Sequence, residues 1–350
     1  MTIRYAFWNN KGGTGKTSLA FQTICNYAEL FQDKRILAID LCPQANLSEL
    51  FLGGLTEKGS EKLLQQQGLM PRCSIGGYFQ LRLPSPYAIP KFDPENFISK
   101  PANFNSAIPT NIDLVCGDPL LELQSNAINT LSNQQIPLPG NKETPDHIKT
   151  WIAVIDWLND FLNKLKNPYD IIFIDCNPSF SLYTQIALAS TNRIILPVMA
   201  DDSSRRAIQN AFSLVYGLKL PSDIYSTYAF SSKLTLAKRE LPKVHLLIKN
   251  RLTQYMKAAS AYEAVLKSIK NDVESLLKNN PDIFTGKDVN KCFVDIRDFQ
   301  TAGVIAFARG LPFSQLKAGK QTVNGHRVQV KEEYRQNCIK AIGDLVSHFE

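Results

Sequence analysis

Ten contiguous residues, Asn9-Asn10-Lys11-Gly12-Gly13-Thr14-Gly15-Lys16-Thr17-Ser18, constrain this chain more than any other stretch. An apolar-leaning run, Ile3 to Trp8, precedes them and reads as a buried first strand; Leu19 to Leu30 comes after and reads as a helix. A strand, a glycine-rich turn and a helix start make a phosphate site. Glycines let the backbone come close to phosphate oxygens, so that several N–H groups point inward. Gly12, Gly13, Thr14, Gly15, Lys16, Thr17 and Ser18 are therefore the candidate nucleotide-binding residues. In such a turn the lysine, Lys16, reaches the β- and γ-phosphates, and the Thr17 hydroxyl ligates Mg²⁺.

The strict pattern G-x-x-x-x-G-K-[ST] fails at its first position, which is Asn10, and a second lysine, Lys11, precedes the glycines. The segment Lys-Gly-Gly-Thr-Gly-Lys-Thr resembles the deviant Walker A motif of the ParA/MinD family of ATPases, ParA-type partition ATPases above all. In that family the extra lysine reaches across a dimer interface to the partner's nucleotide. The resemblance implies ATP and Mg²⁺ as cofactors and catalytic roles for Lys11 and Lys16. It also implies an α/β fold: a doubly wound, mostly parallel twisted sheet with helices on both faces.

Arg35 to Asp40 is an apolar run ending in a carboxylate, one helix after the loop. A right-handed crossover would make it the parallel neighbour of the first strand, with Asp40 at the ligand-binding end of the sheet. The next segment, Leu41 to Ser48, looks like the family's D-x-D-P-Q-G-N segment, except that Cys42 stands where the second aspartate belongs. Residues of about 53–105 hold Gly53-Gly54, Gly76-Gly77 and several prolines, with a helical piece at Glu61 to Gln67. They read as an insertion or lid, a partner surface, or an ordered loop within one domain spanning 1–350.

Asn111 to Gly117 reads as a strand and turn, with a helix at Pro119 to Gln124 and a polar loop from Thr130 to Pro145. Asp146 to Leu165 carries a helical apolar stripe, with Trp151 and Trp157 as packing residues. Tyr169 to Asp175 resembles Walker B, and Asp175 would hold Mg²⁺ through water opposite Thr17, with Asp40 as the third metal candidate. Asn177-Pro178-Ser179 and Pro197-Val198 match family positions. Val244 to Ile248 is a further strand; Asn250 after it is an adenine contact by resemblance, or a turn cap by its own chemistry. Phe293 to Ile296 reads as the last strand, Ala306 to Pro312 as the family's closing A-x-x-x-G-x-P, and Glu332 to Phe349 as a helix packed on the sheet rather than a basic membrane anchor. The matched segments cover about half of the chain.

Seven cysteines, an odd number without C-x-x-C, favour free thiols in a reducing cytosol. The early phosphate motif argues against a signal peptide, and no apolar run is long enough to span a bilayer. The net charge of +7 permits nucleic-acid binding. Lys233, Lys238, Arg239, Lys243, Lys249, Arg251 and Lys257 cluster with only Glu240 against them, either as a DNA-binding surface or as an ordinary solvated face. The family implies a cytoplasmic, nucleoid-associated switch. ATP drives homodimerisation, the dimer binds DNA without sequence preference, and a ParB-like partner or cargo adaptor resets it. A metabolic ATP-dependent enzyme is the alternative, whether a synthetase, an amidotransferase or a reductase like nitrogenase iron protein. The reductase needs paired cysteines at a dimer face, for which Cys73 and Cys116 are the candidates. A membrane switch of MinD type is disfavoured by the C-terminal helix.

Overall fold

A computed structural model describes residues 2–141, 143–218, 229–252, 260–323 and 325–349. Seven strands form one parallel sheet: β1 (Ile3–Phe7), β2 (Ile36–Leu41), β3 (Ile112–Val115), β4 (Ile171–Cys176), β5 (Arg193–Val198), β6 (Lys243–Leu252) and β7 (Phe293–Arg297). Their order across the sheet is β3-β2-β4-β1-β5-β6-β7, every pair parallel. Here β2 departs from expectation. It does not neighbour β1; β4 lies between them and pairs with both. The helix after β1 therefore crosses over a gap of one strand, which the Walker-B-like strand fills.

Successive residues of a strand face opposite sides of the sheet. Tyr5 and Phe7 enter one hydrophobic core, Ala6 and Trp8 the other, and both cores are covered. One face carries α1 (Lys16–Leu30), α2 (Asn46–Phe51), α12 (Gln300–Arg309) and α13 (Glu332–Val346). The other carries α4 (Ile75–Arg82), α5 (Leu120–Ser132), α6 (Asp146–Ile155), α7 (Trp157–Asn163), α8 (Leu182–Ala189), α9 (Asp202–Tyr216), α10 (Phe230–Leu236) and α11 (Ser260–Asn279). Burial on both sides explains why the strands read as continuous apolar runs rather than alternating ones.

Residues 53–105 hold α3 (Gly59–Gln67), α4 and two short 3₁₀ turns. Their aromatic residues go inward: Tyr78, Phe79 and Phe97 are buried, and Phe79 meets Trp157 edge to face at 5.4 Å. Arg82 is buried too, paired with Asp160 at 2.6 Å and bonded to the Tyr78 hydroxyl at 3.1 Å. Removing a buried phenylalanine leaves a cavity that close packing cannot refill. Phe79→Ala should therefore lower unfolding free energy by ~3–5 kcal/mol. Urea unfolding measures it, and a loss below ~1 kcal/mol would mean that this helix is separable from the core.

The stripe from Asp146 forms two helices, broken at Asp156, not one. Nor is β7 the last strand. A hairpin of β8 (Gly319–Val323) and β9 (His326–Val330) comes after it. Its short, half-polar strands bury only Val330 fully, so they lack the apolar run that marks the sheet strands. The closing helix α13 does pack on the sheet: Phe349, just past it, meets Tyr5 at 4.8 Å and Phe173 at 5.6 Å. Among the described residues no helix is long and apolar enough to cross a membrane.

Candidate nucleotide and metal site

The Asn9–Ser18 turn leaves the C-terminal end of β1 and enters α1, which begins at Lys16, earlier than its apolar pattern indicates. Gly13 and Gly15 sit in the left-handed region at φ 73° and 82°. At Gly15 the space is closed as well: a Cβ there would lie 2.3 Å from the Asn250 side-chain nitrogen. Asn250 is buried at the end of β6 and donates through Nδ2 to the Thr14 carbonyl at 2.9 Å. The donor half of its amide is thus engaged by the loop, while Oδ1 is buried without a partner in the protein. A cavity of about 190 Å³ beside it is lined by Gly15, Ser18, Arg251, Phe299 and Phe307 among others.

Lys16 is 7% exposed, and its Nζ makes one long bond, 3.4 Å, to the Lys11 carbonyl. Burial lowers its pKa, and the nearby Asp175 opposes that shift. A buried ammonium with so few partners is one that an anion would stabilise. The Thr17 hydroxyl donates to Asp175 Oδ2 at 2.6 Å. Asp40 and Asp175 pair in register on adjacent strands β2 and β4, both buried. Ser48 holds Asp40 Oδ2 through its N–H at 2.9 Å and its hydroxyl at 2.8 Å. Burial pushes both carboxyls above the usual range, and Asp175 adds to the shift of Asp40.

Asp40 Oδ1, Asp175 Oδ1 and Thr14 Oγ1 are buried without partners in the protein. Orphaned oxygens on two paired carboxylates, with the Thr17 hydroxyl on one of them, suit a hard cation. No set of three or more acidic, His or Cys ligands is assembled among the described residues, so the protein alone forms no cage. That fits Mg²⁺, which keeps waters and shares phosphate oxygens. Thr17 and Asp175 would hold it, and it would neutralise charge on the phosphates.

Two groups were missed by the sequence reading. Lys11 does not project freely: its Nζ donates to both Asp201 oxygens, at 2.7 and 2.6 Å, and to Ser204 Oγ at 3.3 Å. Asp201 caps α9 through the Ser204 N–H. Burial works against its charge, but Lys11 and the α9 cap bonds hold its pKa down at about 2. The run Asp-Asp-Ser-Ser that opens α9 is a capping signature, though nothing in it points to Lys11, 190 residues away. Ser48, the second, is an unremarked residue of α2. Cys42 is half-buried next to Asp40; burial, then Asp40, push its thiol up to about 12.

The basic run does not form one surface. Lys243 and Arg251 stand eight residues apart on the extended β6, roughly 25 Å at the usual strand rise of ~3.3 Å per residue. Lys238 pairs with Glu143 at 2.8 Å, Arg239 with Asp156 at 2.5 Å and Lys249 with Asp295 at 3.2 Å. Lys233 lies over the Trp151 ring at 5.2 Å. The counter-charges come from segments distant in sequence, so Glu240 is not alone against the run. Lys257 lies outside the described residues. Cys73 and Cys116 are both buried and both contact Ser99, inside the core rather than at a face where a cluster would bridge two chains.

A family model described as an AAA domain matches residues 2–220. A virulence plasmid ParA family protein of Chlamydia muridarum is 47% identical over 60 residues, 17% of this chain and 21% of that relative. Three curated relatives, this one among them, are matched over at most 38% of their own length. Among solved structures, a plasmid partition protein from Borrelia burgdorferi bound to AMPPNP has a TM-score of 0.53 at 14% identity, covering 98% of this chain and 97% of that one. An ATP complex of a McdA variant from Cyanothece has a TM-score of 0.60 at 14% identity, covering 99% and 96%. At such identities the likeness is one of fold.

Proposed function

The chain belongs to the ParA/MinD-like AAA domain family, and from that membership we propose that it is an ATP- and Mg²⁺-dependent dimerising switch of partition type. The observation that carries the reading is the loop itself: Lys16 buried, Thr17 bonded to Asp175, and Lys11 ahead of both. In the ATP state two loop faces meet, and Lys11 of each leaves Asp201 to complete the other's site. The dimer binds DNA without sequence preference, positions a plasmid, chromosome or other cargo on the nucleoid, and is reset by a ParB-like partner. Hydrolysis is slow, because a protonated Cys42 stands where a carboxylate would orient water.

The β8–β9 hairpin is the better candidate for the DNA face. Lys320, Thr322, Arg327 and Gln329 alternate onto its exposed side, opposite the side with Val328 and buried Val330. Lys317 and Lys331 flank it, and none of these four cations makes an ion pair among the described residues. Exposed, unpaired cations release counterions when they meet phosphates, which makes affinity fall steeply with salt. Lys320→Gln with Arg327→Gln should lower the slope of log K against log salt by roughly 2, alike on all sequences. An unchanged slope places the DNA elsewhere.

Gel filtration with ATP, with and without non-specific duplex, tests the whole reading. A nucleotide-dependent dimer that co-elutes with DNA is expected. A chain that binds ATP yet stays monomeric and apart from DNA would favour a metabolic role.

A further inference from the structure

The end of the sheet opposite the phosphate loop holds a second cavity, of about 630 Å³, within the range of small-molecule sites. It opens at the N-terminal ends of β1, β5 and β6, roughly 15–20 Å from the loop by the ~3.3 Å rise of a five- or six-residue strand. Arg4, Arg193, Lys238, Arg239 and Lys243 line it, against one lining carboxylate, Glu240. Asp156 and Glu143, outside the lining, pair with Arg239 and Lys238.

Arg193 is held by partners of its own, whereas Arg4 and Lys243 have no carboxylate partner among the described residues. Half-buried Arg4 makes no ion pair with any described carboxylate; its guanidinium donates to Asn159 Oδ1 at 2.8 Å and to the Ser190 carbonyl at 3.4 Å. Burial, then the nearby Arg239, work against its charge. Arg193 donates to the Tyr5 hydroxyl at 2.8 Å and lies over that ring. Lys243 is exposed at the mouth and makes no ion pair among the described residues. An anion in the cavity would offset the charge of Arg4 and Lys243, which the described carboxylates do not pair, and the repulsion that Arg239 exerts on Arg4.

The geometry points to a site for a compact oligophosphate anion, separate from the nucleotide loop. Arginine forks match phosphate oxygens, and Arg4, one of the three lining arginines, is bonded to neutral groups, Asn159 and the Ser190 carbonyl. The lining offers only Ala189 and Leu241 as apolar side chains and no aromatic ring to stack a base. A phosphorylated group of high charge and small apolar surface suits it better than a purine nucleotide. The role is binding; no bond is made or broken there.

Inorganic tripolyphosphate is the probe, titrated calorimetrically at physiological salt. Lys16→Ala removes its affinity for the loop, so in that chain one tripolyphosphate per protein should still bind. Adding Arg4→Gln and Lys243→Gln should weaken that binding ten-fold or more. The same two changes in the chain with Lys16 intact should leave ATP affinity unaltered, which shows that the fold survives; Lys243→Gln alone, at an exposed position, should give a partial loss. Binding that vanishes with Lys16→Ala, or that ignores Arg4 and Lys243, overturns the assignment. A short duplex titrated in parallel separates the sources of phosphate: if the two changes weaken DNA as much as tripolyphosphate, the cavity serves the DNA backbone and the small-anion site is wrong.

Discussion

Lys16→Ala is expected to abolish ATP binding at working concentrations, a loss of a hundred-fold or more. The buried ammonium would make at least two charge-assisted bonds to the β- and γ-phosphates, together worth roughly 3 kcal/mol or more. Calorimetry reads the affinity directly. The rise in melting temperature that ATP gives the parent should disappear as well, while the ATP-free melting curve reports that the chain is folded. Lys11→Ala should behave otherwise, with ATP affinity within a few-fold of the parent and the ATP-dependent dimer lost. Lys11 is engaged by Asp201 in the single chain, so in the proposed dimer it would trade one anionic partner for another. Asp201→Asn weakens the first partner and keeps a good helix cap at α9, since asparagine caps as well as aspartate. It should promote the ATP dimer. If Lys11→Ala dimerises with ATP as readily as the parent, the face-to-face arrangement is wrong.

The second large effect is expected at Cys42. A thiol held at about 12 by burial and by Asp40 stays protonated at neutral pH and is a weak hydrogen-bonding group. Cys42→Asp should raise single-turnover ATP hydrolysis at least about ten-fold, the scale of gain that one water-orienting group contributes. The gain should require saturating Mg²⁺, because the new carboxylate joins Asp40 and Asp175, both already destabilised by burial. For the same reason the nucleotide-free protein should become less stable. A parent as fast as the variant would end this account. Asn46 and Asn177 would be next: the first donates to Gln44 at 3.2 Å, the second accepts from the Ser179 N–H at 3.4 Å, and neither is tied down by a charge.

The phosphate loop, its strand and helix, and the carboxylate-ended strands β2 and β4 were legible in the sequence because each is local. A glycine turn needs its left-handed positions within a few residues, and a strand buried on both faces declares itself as a short apolar run. Thr17 and Asp175 were assigned to one cation by the motifs their segments resemble, and the fold brings them to 2.6 Å. Tertiary structure alone decided the rest. The order of strands depends on how helices pack across the sheet, which no single segment encodes, so β4 lies between β1 and β2. The inward aromatics of residues 53–105 have no long period to reveal them, since Tyr78 and Phe79 are neighbours on the eight-residue α4, buried on most sides, and Phe97 stands alone on a 3₁₀ turn. Charges near in sequence were parted by the length of β6, and their counter-charges, Glu143, Asp156 and Asp295, arrived from distant segments. Lys11 with Asp201, and Asn250 with the Thr14 carbonyl, meet across 190 and 236 residues. Pattern along a chain records what a residue is and which way its own segment turns it; what it touches across the sheet is set by the packing of the whole.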